Sequence, residues 1–464
     1  MDADPVVRLE PIARCLGRWR KDFLTVHASA PARYPFVLES AGEGGPHARY
    51  DLLFAAAPER LLLEAGGRLV GAPTGAGTFL GALDQWFAAE RRPPPKGPAA
   101  RLPFTGGWFL YLGYELAQEV EPRLRLPTAS GLVAGAFRVR AAAIYDHRTG
   151  ETWLVGETGS EGELDALEQA LAATAPAEAP LPEFPPLALA EDDPQKYLEA
   201  IGRALEYIAA GDIYQANLAR EWQGTLPDGL TAATLYARLR RSTPGPFAGL
   251  AALPGLTVLS TSPERLVASR HGRVETRPIA GTRPRRGDDA RVMSELRANA
   301  KEQAEHVMLL DLERNDLGRI SVGGSVVVDE YMTIESYAHV HHIVSNVRGQ
   351  LRPEVTPGGI IRAMFPGGTI TGCPKVRCME IIAELEGAPR GAYTGSFGYL
   401  SRDGSLDLNI LIRTATVWEA VDGSHNLSLK AGAGIVADSD PGRELEETRA
   451  KALGLLRALT AGPA

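Results

Sequence analysis

AYTGSFGYLS (392–401), DLNILIRTATVWE (407–419) and NLSLKAGAGIVA (426–437), followed by PGRELEETRAKALGLLRALT (441–460), decide the fold class. The first three are apolar runs rich in aromatic and β-branched residues, separated by Gly, Asp and Ser, and they read as strands. The fourth opens on a proline and carries leucines at helical spacing. Upstream, LTVLSTSPERLV (256–267) and VVVDEYMTIE (326–335) read as further strands, and ARVMSELRANAKEQAEHVMLLDLERND (290–316) as one long helix. Strands and helices are thus grouped rather than alternating, which favours α+β over a doubly wound parallel sheet.

The first third is built similarly. RYDLLFAAAP (49–58), RLLLEAG (60–66), AAAIYDH (141–147) and ETWLVGE (151–157) read as strands, and ELDALEQALAAT (163–174) as a helix with Leu164, Leu167 and Leu171 on one stripe. RRPPPKGP (91–98) reads as an exposed connector. Prolines at 176, 180, 182, 185, 186 and 194 exclude helix and central strand from residues 175–194, the expected linker between an N-terminal region, 1–174, packed onto and interleaved with the main fold, and a catalytic region, 195–464. Asp193 and Pro194 are placed to cap and open the next helix, which closes at Gly211.

The chain has 464 residues, 49 basic and 57 acidic, a net charge of −8. That sign argues against a general nucleic-acid or acidic-membrane binder, which needs a basic surface. Three cysteines supply no disulfide framework, and neither an 18-residue apolar run nor an apolar leader is present, so a cytoplasmic, reducing location is expected. An anionic ligand would require positive charge to be gathered locally.

Glu302 and Glu305 in KEQAEH, and Glu444 and Glu447 in ELEETRAK, are each three apart and share a helix face. If two such faces meet, four carboxylates repel unless a hard cation such as Mg²⁺ stands between them; otherwise they are two solvated faces. FPGGTITGCPKVRCMEII (365–382) places a glycine-rich turn before a helix opened by Pro374 and Lys375, either an anion site or a tight turn. KAGAGIVADS (430–439) lets backbone approach a ligand closely. Glu264 in TSPERL could serve as a general acid. Strand alternation sends one of His341 and His342 inward. Cys/His metal arrays and a GxSxG elbow are lacking.

The strings GDIYQANLAR, STSPERL, RPIAGTRPR, KEQAEHVMLLDLERNDLGRI, HVHHIVSNVRG, FPGGTITGCPKVR, GSFGYLS, ILIRT, AGAGIVADS and ELEETRAKA, in this order, resemble the chorismate-utilising enzymes. The likeness is to the component I subunits of aminodeoxychorismate synthase and anthranilate synthase. YPFVLESAGEG and PFTGGWFLYLGYELA extend it to the first third. It implies two large twisted antiparallel sheets packed face to face with outer helices, and Mg²⁺ and chorismate between them. It implies Glu305 and Glu447 as Mg²⁺ ligands supported by Glu302 and Glu444, Glu264 as general acid, and His342 and Thr369 near the reacting edge of the ring. Tyr393, Arg413, the backbone of Ala431, Gly432, Ala433 and Gly434, and Lys451 match the enolpyruvyl carboxylate site. Ammonia would come from a separate glutamine amidotransferase subunit, component II.

Within that family, Gln215 stands where water-using relatives carry a lysine, and a glutamine cannot be a general base, so an amine nucleophile is expected. YQANL, LERND, VHH, PGG and DLNILIRT resemble aminodeoxychorismate synthase, the reading preferred for product. Ala280, where many such enzymes carry a covalent lysine, resembles anthranilate synthase instead. A subunit without activity is disfavoured, because nothing physical would retain the clustered acids. Leu38, Glu39 and Ser40 of VLES resemble the tryptophan-binding element of anthranilate synthases; a plain strand-end turn, with Ser40 capping a local amide, is the alternative.

Overall fold

The computed structural model describes residues 10–40, 48–71, 75, 77–174, 184–284, 289–298, 300–336 and 340–460, with the side chains at 280, 282–284, 290, 296–298, 300, 301 and 340 outside that description. The fold is α+β, a large antiparallel sheet flanked by helices.

Two strands, Tyr50–Glu64 and Leu132–Asp146, each 15 residues long, pair along their length and form the hub. One arm leaves Tyr50–Glu64 through Phe36–Glu39, Phe247–Leu253, Leu256–Ser262, Thr414–Glu419, His425–Ile435 and Gln215–Thr225. The other leaves Leu132–Asp146 through Gly107–Leu112, Ser396–Ser401, Leu406–Asn409, Arg265–Arg270, Arg273–Thr276 and Val340–Gln350. Among the described residues, hydrogen bonds join 21 strands into one network. The arms share an apolar core: Phe36, Ala251 and Val258 of the first pack with Phe109, Phe397 and Tyr399 of the second. Phe36 and Phe109 stack with ring centroids 4.0 Å apart and planes 5° apart.

Helices cover the outer faces where their apolar stripes predict. Leu164, Leu167 and Leu171 of Glu161–Ala173 are fully buried. The helix Pro194–Ala209 begins at Asp193, whose carboxylate accepts the Gln195 N–H, and Gly211 follows with φ +81. Within the 290–316 run the described residues are helical, Asp289–Ala298 and Ala300–Gly318, with residue 299 outside the description. Of the expected linker, 175–183 lie outside the described residues. Phe184 and Leu187 are buried beside Trp222, Leu235 and Leu459, and the Leu187 N–H donates to the Leu459 carbonyl, 3.0 Å.

Two apolar runs that read as single strands are broken. LTVLSTSPERLV divides after Ser262, and DLNILIRTATVWE divides between Asn409 and Thr414. At each break the chain passes from one arm to the other. His341 and His342 are also both buried, not one of them, because Val340–Gln350 is covered on both faces. His341 pairs with Ser336 Oγ at 2.7 Å and faces Asp289, while His342 lies on the side of Arg413.

Candidate functional site

The two crossings run side by side and are laced together. Ser262 Oγ donates to the Ile410 carbonyl, the Ile410 N–H to the Glu264 carbonyl (3.0 Å), and the Thr261 N–H to the Arg413 carbonyl (3.0 Å). Arg413 takes φ +50, a left-handed conformation that costs a non-glycine residue energy and is held only where surroundings dictate it. The crossings therefore deliver an acid and a cation to one place.

Glu264 is 6% exposed. Its carboxyl accepts from Thr369 Oγ1 at 2.9 Å and from the Ile279 N–H. Burial pushes its pKa up to about 7, against the opposing pull of those two donors, Lys451 and Arg413. A carboxyl so tuned is half protonated near neutral pH, as a general acid should be. Burial, then Arg413, pushes His342 down to about 3, against a hydrogen bond with the backbone of Gly281, so its imidazole is neutral. Ala280 follows Ile279 in the adjacent strand and pairs with Ile343; its side chain lies outside the described residues.

A second wall comes from the end of His425–Ile435. Its pairing with Thr414–Glu419 stops at Ala415↔Leu429, and Gln215–Thr225 continues along its other edge. Gly432 and Gly434 let side chains close on this backbone: a Cβ at 432 would stand 2.6 Å from Asn217 Oδ1 and 2.8 Å from the Tyr393 hydroxyl, and one at 434 would stand 2.2 Å from Gln215 Nε2. Lys451 Nζ donates to the Gly432 carbonyl at 3.0 Å and pairs with Glu447 at 2.9 Å. Gln215 Oε1 and Asn217 Oδ1 are buried with no hydrogen-bond partner among the described residues, a costly state unless a ligand supplies a donor. Asn217 was not singled out from sequence; its place two residues beyond Gln215 on one strand face was the available signal.

Glu264 thus accepts from Thr369 and feels the charges of Arg413 and Lys451, His342 feels that of Arg413, and Tyr393 and Lys451 both reach the backbone at Gly432. The acidic pairs lie on two helices. Glu302 and Glu305 lie on Ala300–Gly318; Glu444, accepting from Ser439 Oγ at 2.7 Å, and Glu447 lie on Pro441–Thr460. Among the described residues no three His, Cys, Asp or Glu side chains converge as a metal-holding group.

A separate cavity of about 290 Å³ is lined by Leu38, Glu39, Ser40, Tyr50, Arg265 and Asn409, among others. Glu39 is engaged by Arg240 (2.6 Å) and the Tyr236 hydroxyl (2.8 Å). Ser40 does not cap an amide: its hydroxyl donates to the Tyr50 carbonyl, and its N–H donates to Asp51.

The family described as chorismate binding enzyme matches residues 36–457, and the chain belongs to it. An "anthranilate synthase component I-like protein" of Synechocystis sp. is 44% identical over 77% of this chain and 73% of its own length. The aminodeoxychorismate synthase of Streptomyces griseus is 37% identical over 97% of this chain, which spans 64% of that longer protein. The crystal structure of anthranilate synthase component I from Streptococcus pneumoniae superposes with a TM-score of 0.77 at 30% identity, covering 89% of this chain and 93% of that one. These relatives divide between the names anthranilate synthase and aminodeoxychorismate synthase. No helix among the described residues is long and apolar enough to cross a membrane.

Proposed function

We propose that the chain is component I of aminodeoxychorismate synthase. It would aminate chorismate to 4-amino-4-deoxychorismate, toward 4-aminobenzoate and folate, with ammonia from a separate glutamine amidotransferase subunit. The observation that carries the reading is Glu264, a buried acid beside the cations Arg413 and Lys451. A dianionic substrate can anchor a carboxylate on Arg413, Tyr393, Lys451 and the Gly432 backbone while presenting its C4 hydroxyl to Glu264. As the C4–O bond breaks, the Glu264 proton goes to the hydroxyl, which leaves as water. The ammonia lone pair forms the C–N bond, and the proton shed by the new ammonium restores the carboxyl. Gln215 Oε1 is a free acceptor for an N–H donor.

Carboxylates are the right donors for Mg²⁺, and Glu447 is half exposed at the site edge. Glu305 and Glu447 would hold the ion, with Glu302 and Glu444 beside them. Bound there, it would offset the charge of a substrate carboxylate. The cavity at Leu38–Ser40 is read as a tryptophan site.

Ala280 favours a second reading, anthranilate synthase, because alanine cannot form a covalent bond to substrate. Incubating the chain with chorismate, Mg²⁺ and ammonium salt at alkaline pH decides between them. Anthranilate released without any lyase would overturn the first reading; 4-aminobenzoate appearing only after aminodeoxychorismate lyase is added would overturn the second.

A further inference from the structure

The chemistry above does not use two buried carboxyls and the part-buried lysine beside them. Glu313 and Asp316 lie one turn apart on Ala300–Gly318, and each is 4% exposed. Lys375, the first residue of Lys375–Glu386, forms an ion pair with Asp316. Lys375 pairs with Asp316, on which Arg319 also acts, and among the described residues no ion pair reaches Glu313; a buried charge without its own partner is expensive. Glu313 is the carboxyl left over.

Glu313 lies against the turn that carries Thr369, the donor to Glu264. Its Oε1 stands against Gly368, where a Cβ would be 3.3 Å away, and the next residue, Thr369, donates to Glu264. The Thr276 hydroxyl hydrogen-bonds to Glu313. Burial, then the charge of Asp316, raises the Glu313 pKa; Lys375 opposes, and the charge of Glu264 raises it further. The effect is mutual, since two interacting sites titrate as a pair. Glu264 is faced by Thr369, the Ile279 N–H, Lys451 and Arg413, and Asp316 by Lys375, Arg319 and Asn315.

We propose that Glu313, backed by the Asp316–Lys375 pair, is a positioning residue for Glu264: the two buried carboxyls hold one proton between them, which extends the pH range over which Glu264 meets substrate as an acid. This rests on Glu264 being the general acid.

The test is the pH profile of kcat/KM for ammonia-dependent chorismate consumption, with free ammonia held constant by adjusting total ammonium. In Glu313→Gln the alkaline fall is expected about one pH unit lower than in the wild type and as a single step, where the wild type falls in two. A profile of unchanged shape, or an equal loss at every pH, overturns the proposal. Infrared titration of the protonated-carboxyl band in the free protein gives a second readout that needs no turnover. There Glu264→Gln and Glu313→Gln are each expected to lose the uppermost step of the wild type; steps that simply add to the wild-type pattern overturn the coupling. Activity retained by Glu264→Gln overturns the general-acid reading alone, because the infrared titration still tests the pair. Should Glu313→Gln not fold, Glu313→Asp is expected to give an intermediate profile, and a wild-type one overturns the proposal.

Discussion

Glu264 and Arg413 acquire their chemistry from the crossings that carry them. A glutamate on an exposed loop would titrate near 4; here burial raises the carboxyl to about 7 while a cation stands beside it. Glu264→Gln should lower kcat about 10²- to 10⁴-fold, the usual worth of a positioned acid, with chorismate binding little changed. A raised KM with unaltered kcat in that variant would point to binding instead. The sign of the pH effect follows: the acid form exists below the Glu264 pKa, so at constant free ammonia turnover should fall as pH rises through about 7. His342 titrates near 3 and contributes no limb there. It acts on stability instead. The unfolded imidazole binds its proton near 6.5, the folded one only near 3, so stability should decline as pH falls below about 6.5, by about 1 kcal/mol per unit. His342→Asn, followed by urea unfolding at pH 5 and pH 7, should show a smaller difference between the two than the wild type.

At the scale of elements, the sequence was most legible where local chemistry acts alone. The Asp193–Pro194 start, the Leu164–Leu167–Leu171 stripe and the helix after Pro374 follow from caps, periodicity and proline geometry. The breaks within 256–267 and 407–419 were not legible, because the apolar pattern continues through them and the interruption is made by tertiary hydrogen bonds from Ser262 and Ile410. Acid, cation and glycine backbone of the site could be nominated by residue type and family likeness. Glu313 and Asp316 could not, since LERND on a helix reads as a solvated face until the neighbouring Lys375 is seen. The strand end at Gly432 gives a prediction of its own. Gly432→Ala would bring a Cβ 2.7 Å from the Leu218 carbonyl, a backbone atom that cannot swing aside. The strand must shift, taking the Tyr393 and Lys451 contacts with it, and KM for chorismate should rise about tenfold, some 1.4 kcal/mol of lost binding. Unchanged KM would remove this backbone from the binding site.

For the molecule as a whole, the two crossings explain why a division at 175–194 does not separate two packed bodies. Phe36, Phe54, Phe109 and Phe137 from the first third share one core with Ala251, Val258, Phe397 and Leu411. Neither arm of the sheet can bury its inner face without the other, so the apolar area that stabilises each is counted only when both are in place. The described chain should therefore unfold as one cooperative unit. Urea titrations followed by tryptophan fluorescence, with Trp19, Trp86, Trp108 and Trp153 reporting the first third and Trp222 and Trp418 the rest, should coincide with those followed by far-ultraviolet circular dichroism. Phe109 is the sharpest probe, because it is fully buried and its ring stacks on Phe36 across the arms. Phe109→Ala should cost about 3–5 kcal/mol and move both probes together to a lower midpoint. A variant in which the fluorescence changes first, leaving most of the circular dichroism intact, would show that residues 195–464 stand alone, and would restore a domain boundary that the shared core argues against.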